Sequence, residues 1–132
     1  IILNTTDTNM EWLKITTSTE MVRVRTDEIV YVSADGNYSD LVLANGQIRK
    51  MTFQLHYFDD VFKQLDNNTF VRVGRSLIVN KSYVFVINLT EQKLLFNGNS
   101  REVQNCPVKV SREALKQLMD ILNNEKEKKS NG

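Results

Sequence analysis

A single cysteine, Cys106, excludes an internal disulfide and fits a reducing compartment, which we read as the cytoplasm. A single histidine, His56, sits between Leu55 and Tyr57 in an amphipathic segment, so no nucleophile–base–orienter set can be assembled around it. The five glycines are dispersed and form no phosphate-cradling loop. Cys106 and His56 lack partners at ligand spacing, and Asp59-Asp60 reads as the solvated face of a helix. These absences leave no catalytic residue, no metal site and no cofactor to propose, and make an enzyme the weaker reading. No apolar run approaches the ~18 residues of a membrane span, and no stretch resembles a signal peptide, so no membrane partner is expected.

What is present suits one small domain. With 132 residues the chain can bury a single core without staples. The formal net charge is only +1, but its distribution is uneven. Residues 1–68 hold six Lys/Arg against ten Asp/Glu, a balance of −4, whereas residues 69–122 hold eight against four, a balance of +4. Charge polarised in this way can put one basic face on a soluble domain.

Most of the chain reads as strands. Trp12 to Thr17 and Met21 to Arg25 are rich in β-branched residues, and the second alternates apolar with basic. Ile29-Val30-Tyr31-Val32 is almost continuously apolar, as a well-buried strand should be. Leu41-Val42-Leu43 and Gln47 to Lys50 flank Asn45-Gly46, a strong hairpin signal because both residues tolerate positive φ. Asn97-Gly98 is expected to play the same part after Lys93 to Phe96; Val84 to Ile87 and Val108 to Val110 supply further strands.

Two segments show helical spacing. After Thr52, the predicted N-cap, Leu55, Phe58, Phe62 and Leu65 share one face. After Ser111, a second predicted N-cap, Leu115, Leu118, Met119 and Leu122 form the stripe of a helix laid on a sheet. The division expected is an irregular N-terminal extension at 1–11, a folded domain at 12–122 and a disordered charged tail at 123–132.

The run Val71 to Lys81 carries Arg72, Arg75, Ser76, Asn80 and Lys81 among apolar anchors. It can bury its valines, leucine and isoleucine while turning guanidinium groups outward, the chemistry that grips phosphates and reads guanine edges. Phe70-Val71-Arg72-Val73-Gly74-Arg75-Ser76-Leu77-Ile78-Val79-Asn80 closely resembles the F-x-R-x-x-R-S-x-x-V-N signature of LytTR domains, the DNA-binding output modules of many bacterial response regulators. Upstream, Asp27 to Ser39 resembles that family's opening strand and loop; downstream, Cys106-Pro107-Val108-Lys109-Val110-Ser111-Arg112 resembles the segment before its last helix. Three motifs in the right order span roughly residues 15 to 122.

The resemblance implies a mainly β fold, an elongated LytTR-like arrangement of small antiparallel sheets with two short α-helices. It implies sequence-specific binding of double-stranded DNA by a bacterial, cytoplasmic transcriptional regulator whose loops enter the major groove. It also implies paired domains, a homodimer on repeated sites, often bending the duplex, and control through a receiver domain or sensor kinase pathway. The residues expected at DNA are Asn37, Tyr38, Ser39, Arg72, Arg75, Ser76, Lys81, Lys109 and Arg112. Asn37 and Ser39 can donate and accept in the groove, while Tyr38 can reach phosphate. In a strand ending at Val73, Arg72 points away from Val71 and Val73, toward a phosphate or an internal carboxylate; Arg75, beyond the Gly74 turn, is set for base contact. Lys81 and Lys109 read as phosphate partners, and Arg112, just after the Ser111 cap, as a base contact. Asn80 reads better as a buried cap of backbone groups. The rival reading is a β-rich protein-interaction or ligand-sensing module without DNA binding. The DNA reading requires Ser39, Arg75 and Arg112 to converge on one side of the domain.

Overall fold

The computed structural model describes residues 2–6, 10–65 and 68–125, of which 2–6 and Met10 are described by backbone alone. Strands β1 (Ile2–Thr6), β2 (Met10–Thr16) and β3 (Met21–Arg25) form one antiparallel sheet. Strands β4 (Ile29–Asp35), β5 (Tyr38–Leu43), β6 (Ile48–Met51), β7 (Phe70–Val73) and β8 (Leu77–Asn80) form a second, in the order β6-β5-β4-β8-β7. Strands β9 (Val84–Asn88), β10 (Lys93–Phe96) and β11 (Val108–Lys109) form the third. Helices α1 (Leu55–Phe62), α2 (Arg101–Gln104) and α3 (Arg112–Asn123), with single 3-10 turns at Thr26–Glu28 and Lys81–Tyr83, complete the regular elements of the described residues. The mainly β character and the small antiparallel sheets are as expected from sequence.

The five-stranded sheet is covered on both faces. Ile29, Val32, Leu41, Met51 and Ile78 pack toward the first sheet and α1. Val30, Val42, Val73, Leu77 and Val79 pack toward β10, α2 and α3. Alternation along a strand sends successive side chains to opposite faces, so a strand between two cores must be apolar at every position. This accounts for the unbroken apolar runs of β4 and β8. On α1 the expected Leu55, Phe58 and Phe62 are buried, joined by Val61; on α3, Leu115 and Leu118 are.

Four expectations need correction. The extension expected to be irregular carries β1, and the expected boundary between residues 11 and 12 falls inside β2. Helix α1 starts later than Thr52: Gln54 is its N-cap and gives no side-chain cap bond. Asn97-Gly98 does not close a hairpin, because β10 continues into α2 before pairing with β11. That short helix, capped by the Ser100 hydroxyl accepting from the Val103 N–H at 3.3 Å, is a third helix where two were expected. The charged tail from residue 126 lies outside the described residues.

Other expectations hold. The Asn45-Gly46 turn does link β5 to β6; Gly46 has φ 95° and its Cα lies so close to Ser100 that a Cβ would sit 2.6 Å from Oγ. Asn80 is 1% exposed. Its Nδ2 donates to the Ile29 carbonyl and its Oδ1 accepts from the Ser82 N–H, both at 2.9 Å. Replacing it with alanine would leave two backbone groups without their partner. Asn80→Ala should therefore lower unfolding free energy by about 1–3 kcal/mol in urea titration, and a change below about 0.5 kcal/mol would contradict the capping role.

Candidate nucleic-acid interface

Register brings the β4–β5 turn and the arginine-bearing β7–β8 turn to one end of the five-stranded sheet. β4 pairs antiparallel with β8 through Tyr31↔Val79, Val32↔Ile78 and Ser33↔Leu77. The end of β4 therefore lies beside the start of β8, and the Ala34 N–H donates to the Ser76 carbonyl at 2.9 Å. The β4–β5 turn and the β7–β8 turn consequently project from the same end. In the latter, Gly74 has φ 66°, a left-handed conformation that costs glycine little and leaves Arg75 and Ser76 exposed.

Helix α3 begins against this turn. A Cβ built on Gly74 would lie 3.4 Å from the Ala114 Cβ. The Ser111 hydroxyl accepts from the Ala114 N–H at 3.2 Å, the N-cap expected from sequence. Between them runs an open groove of about 590 Å³ whose walls include Arg75, Ser76, Lys109, Ser111, Glu113 and Gln117. Arg112 is exposed on the first turn of α3, between two groove-lining residues, without lining the groove itself. Arg75, Lys109 and Arg112 make no ion pair among the described residues. Their charges are open to an arriving anion.

The other expected contacts fare differently. Asp35 pairs with Tyr38, so the β4–β5 tip is only Gly36-Asn37. Asn37 is exposed, its Oδ1 accepting from Gln54 Nε2 at 3.0 Å, and Tyr38 is 46% exposed. Ser39 is not at the tip. It is the second residue of β5, shares the inward face with Leu41, and is 0% exposed. Its hydroxyl donates to the Phe53 carbonyl at 2.8 Å. The expected Ser39 contact is thus corrected to a structural hydrogen bond, and convergence on one end holds for Arg75 and the start of α3 without it.

Lys81 is corrected likewise. It follows β8 at the end remote from Arg75, and its ammonium is paired with Glu125 beyond α3. Arg72 points outward from β7 but is engaged within the protein. Nη1 donates to Asp59 Oδ2 at 3.2 Å and Nη2 to the Arg75 carbonyl at 3.0 Å, which selects the internal carboxylate from its two expected partners.

The structure adds residues that the sequence reading passed over. Glu113 and Gln117 line the groove together because they are four apart on α3, a spacing readable in advance had that face been considered. Lys50 Nζ bridges Asp35 at 2.6 Å and Asp40 at 2.9 Å, beside the β4–β5 tip. The hydrogen bonds to Asp35 and then Asp40 raise its pKa above the ordinary lysine value, and its charge offsets two carboxylates beside that tip. No sequence spacing signals that cross-strand cluster. Among the described residues no group of three or more His, Cys, Asp or Glu is placed to hold a metal, and no helix is long and apolar enough to cross a membrane.

A search of curated proteins found no match. The fold is similar to a solved LytTr DNA-binding domain from Bacillus cereus, of a protein described as a methyl-accepting/DNA response regulator, with a TM-score of 0.60 and 19% identity over 84% of this chain and 95% of that one. The family model described as the LytTr DNA-binding domain matches residues 19–123, which takes in β3, the whole five-stranded sheet, the third sheet and α3. The chain belongs to the LytTR family of DNA-binding domains.

Proposed function

We propose that this domain binds double-stranded DNA sequence-specifically as the output module of a bacterial transcriptional regulator, without a recognition helix lying in the groove. The observation that carries the reading is a set of cations without an ion pair among the described residues: Arg75 and Lys109 lining one groove and Arg112 on the first turn of the helix beside it. Two projecting turns and a helix start at one end of a sheet can enter a major groove, which a flat face cannot. Arg75, on a tight turn, presents a planar fork suited to guanine O6 and N7. Arg112 lies at the first position of α3, where the helix N–H groups and its guanidinium act together on an anion or a guanine edge. Lys109, Ser76 and Tyr38 are suited to phosphate, and Asn37 to a base edge or phosphate.

The same reading extends to two copies on repeated sites with bending of the duplex, to work in the cytoplasm, and to control by a receiver domain or sensor kinase pathway. Dimeric binding of repeats would spread a modest interface over two half-sites, each contributing its own arginine contacts. Phosphate contacts would make affinity fall with salt through counterion release.

Selection from random duplex DNA at near-physiological salt should enrich one motif. Arg75→Ala and Arg112→Ala should each weaken binding to it by about 1–3 kcal/mol and relax preference at a particular base pair. Failure to enrich any motif, with residual binding indifferent to both substitutions, would reject the reading in favour of a protein-interaction or ligand-sensing role. Lys109→Ala should weaken binding evenly across sequences and reduce the magnitude of the salt slope by about one, as measured by titration at several salt concentrations. Ser39→Ala should do the opposite: affinity unchanged, with unfolding free energy lowered by about 0.5–1.5 kcal/mol in denaturant titration.

A further inference from the structure

Arg72 belongs to the arginine-rich run yet turns its fork back on the protein. One arm reaches Asp59 of α1 and the other the carbonyl of Arg75, at the apex of the β7–β8 turn. Asp59 is well anchored, because its helix neighbours Phe58 and Phe62 are 0% and 5% exposed in the core. The turn is less so: Gly74, Arg75 and Ser76 are all exposed, and the ties next to it are the Val73↔Leu77 pair and the Ala34–Ser76 bond.

We propose that Arg72 and Asp59 are positioning residues for DNA recognition: together they tie the backbone of Arg75 to α1 and so fix where the Arg75 guanidinium is presented. The inference rests on the reading that Arg75 contacts DNA. Arg72 and Asp59 side chains are 35% and 22% exposed, a setting in which ion pairs contribute little to stability, so the value of the contact lies in geometry. The planar guanidinium fork can hold a carboxylate and a carbonyl at once, whereas a lysine ammonium is a point charge on a flexible stem. Fixing the turn before DNA arrives removes the ordering cost from the binding step.

Charge separates this role from plain phosphate contact. Asp59→Asn removes a negative charge near the interface, which by electrostatics alone favours DNA. Arg72→Lys keeps the positive charge and would be tolerated by a phosphate contact. The positioning role predicts the reverse: each variant binds the enriched motif about tenfold more weakly or worse, the loss of one well-made base contact at its lower end, with the salt slope unchanged. In the free protein, amide order parameters at Gly74, Arg75 and Ser76 should fall from about 0.85 toward 0.6 in both variants, while the melting temperature stays close to the parent's. Parent-like or tighter binding by Asp59→Asn, or turn amides as rigid in both variants as in the parent, would overturn the proposal. Should the parent itself bind no duplex, the DNA reading fails separately, and the order parameters still judge the tie.

Discussion

Every residue of β8, Leu77 to Asn80, is buried, because that strand lies between two cores. Leu77 and Val79 face one core, Ile78 the other, and each such side chain contributes about 1.5–3 kcal/mol on removal from water. A slip of one residue would exchange these faces, sending Asn80 into the wrong core and breaking its bonds to Ile29 and Ser82. The register of β8 on β4 is therefore strongly fixed. Since both turns at this end of the sheet are short continuations of those strands, the same constraint sets the Gly36-Asn37 tip beside Arg75. The geometry of this end of the sheet is a consequence of core packing.

Ion pairing separates some of the basic residues expected at DNA from others. Arg72, Lys81 and Lys50 are consumed by carboxylates of the protein: Asp59, Glu125, and Asp35 with Asp40. Arg75 and Lys109, which line one groove, and Arg112, beside it on α3, have no such partner among the described residues. A net charge of +1 is thus compatible with membership of a DNA-binding family, because several carboxylates are set against cations away from the groove. Glu113 is a carboxylate in the groove wall itself, and at the second position of α3 it also favours the helix N-terminus.

Much of this was legible in the sequence for physical reasons that apply locally. The apolar runs of β4 and β8, the Asn45-Gly46 turn, the stripes on α1 and α3 and the Ser111 cap all follow from periodicity or turn chemistry. Asn80 was legible as a cap because a polar residue ending an apolar strand needs backbone partners. What escaped depends on pairings remote in the chain. Ser39 faces inward because β5 begins at Tyr38, which only the two-residue tip of its hairpin decides. Lys81 is lost to the interface because the end of α3 delivers Glu125 to it. The α2 turn was passed over for want of an apolar stripe: of its four residues only Val103 is buried.

The surface proposed to meet DNA is one end of the five-stranded sheet with the start of α3. Backbone amide shifts recorded while the protein is titrated with a duplex carrying its selected motif test this most directly. Perturbations should concentrate at residues 35–38, 74–76 and 108–113, while Lys81, Ser82 and the end of α3 stay unmoved. Perturbations centred on that opposite end, or spread without focus over all three sheets, would contradict the account.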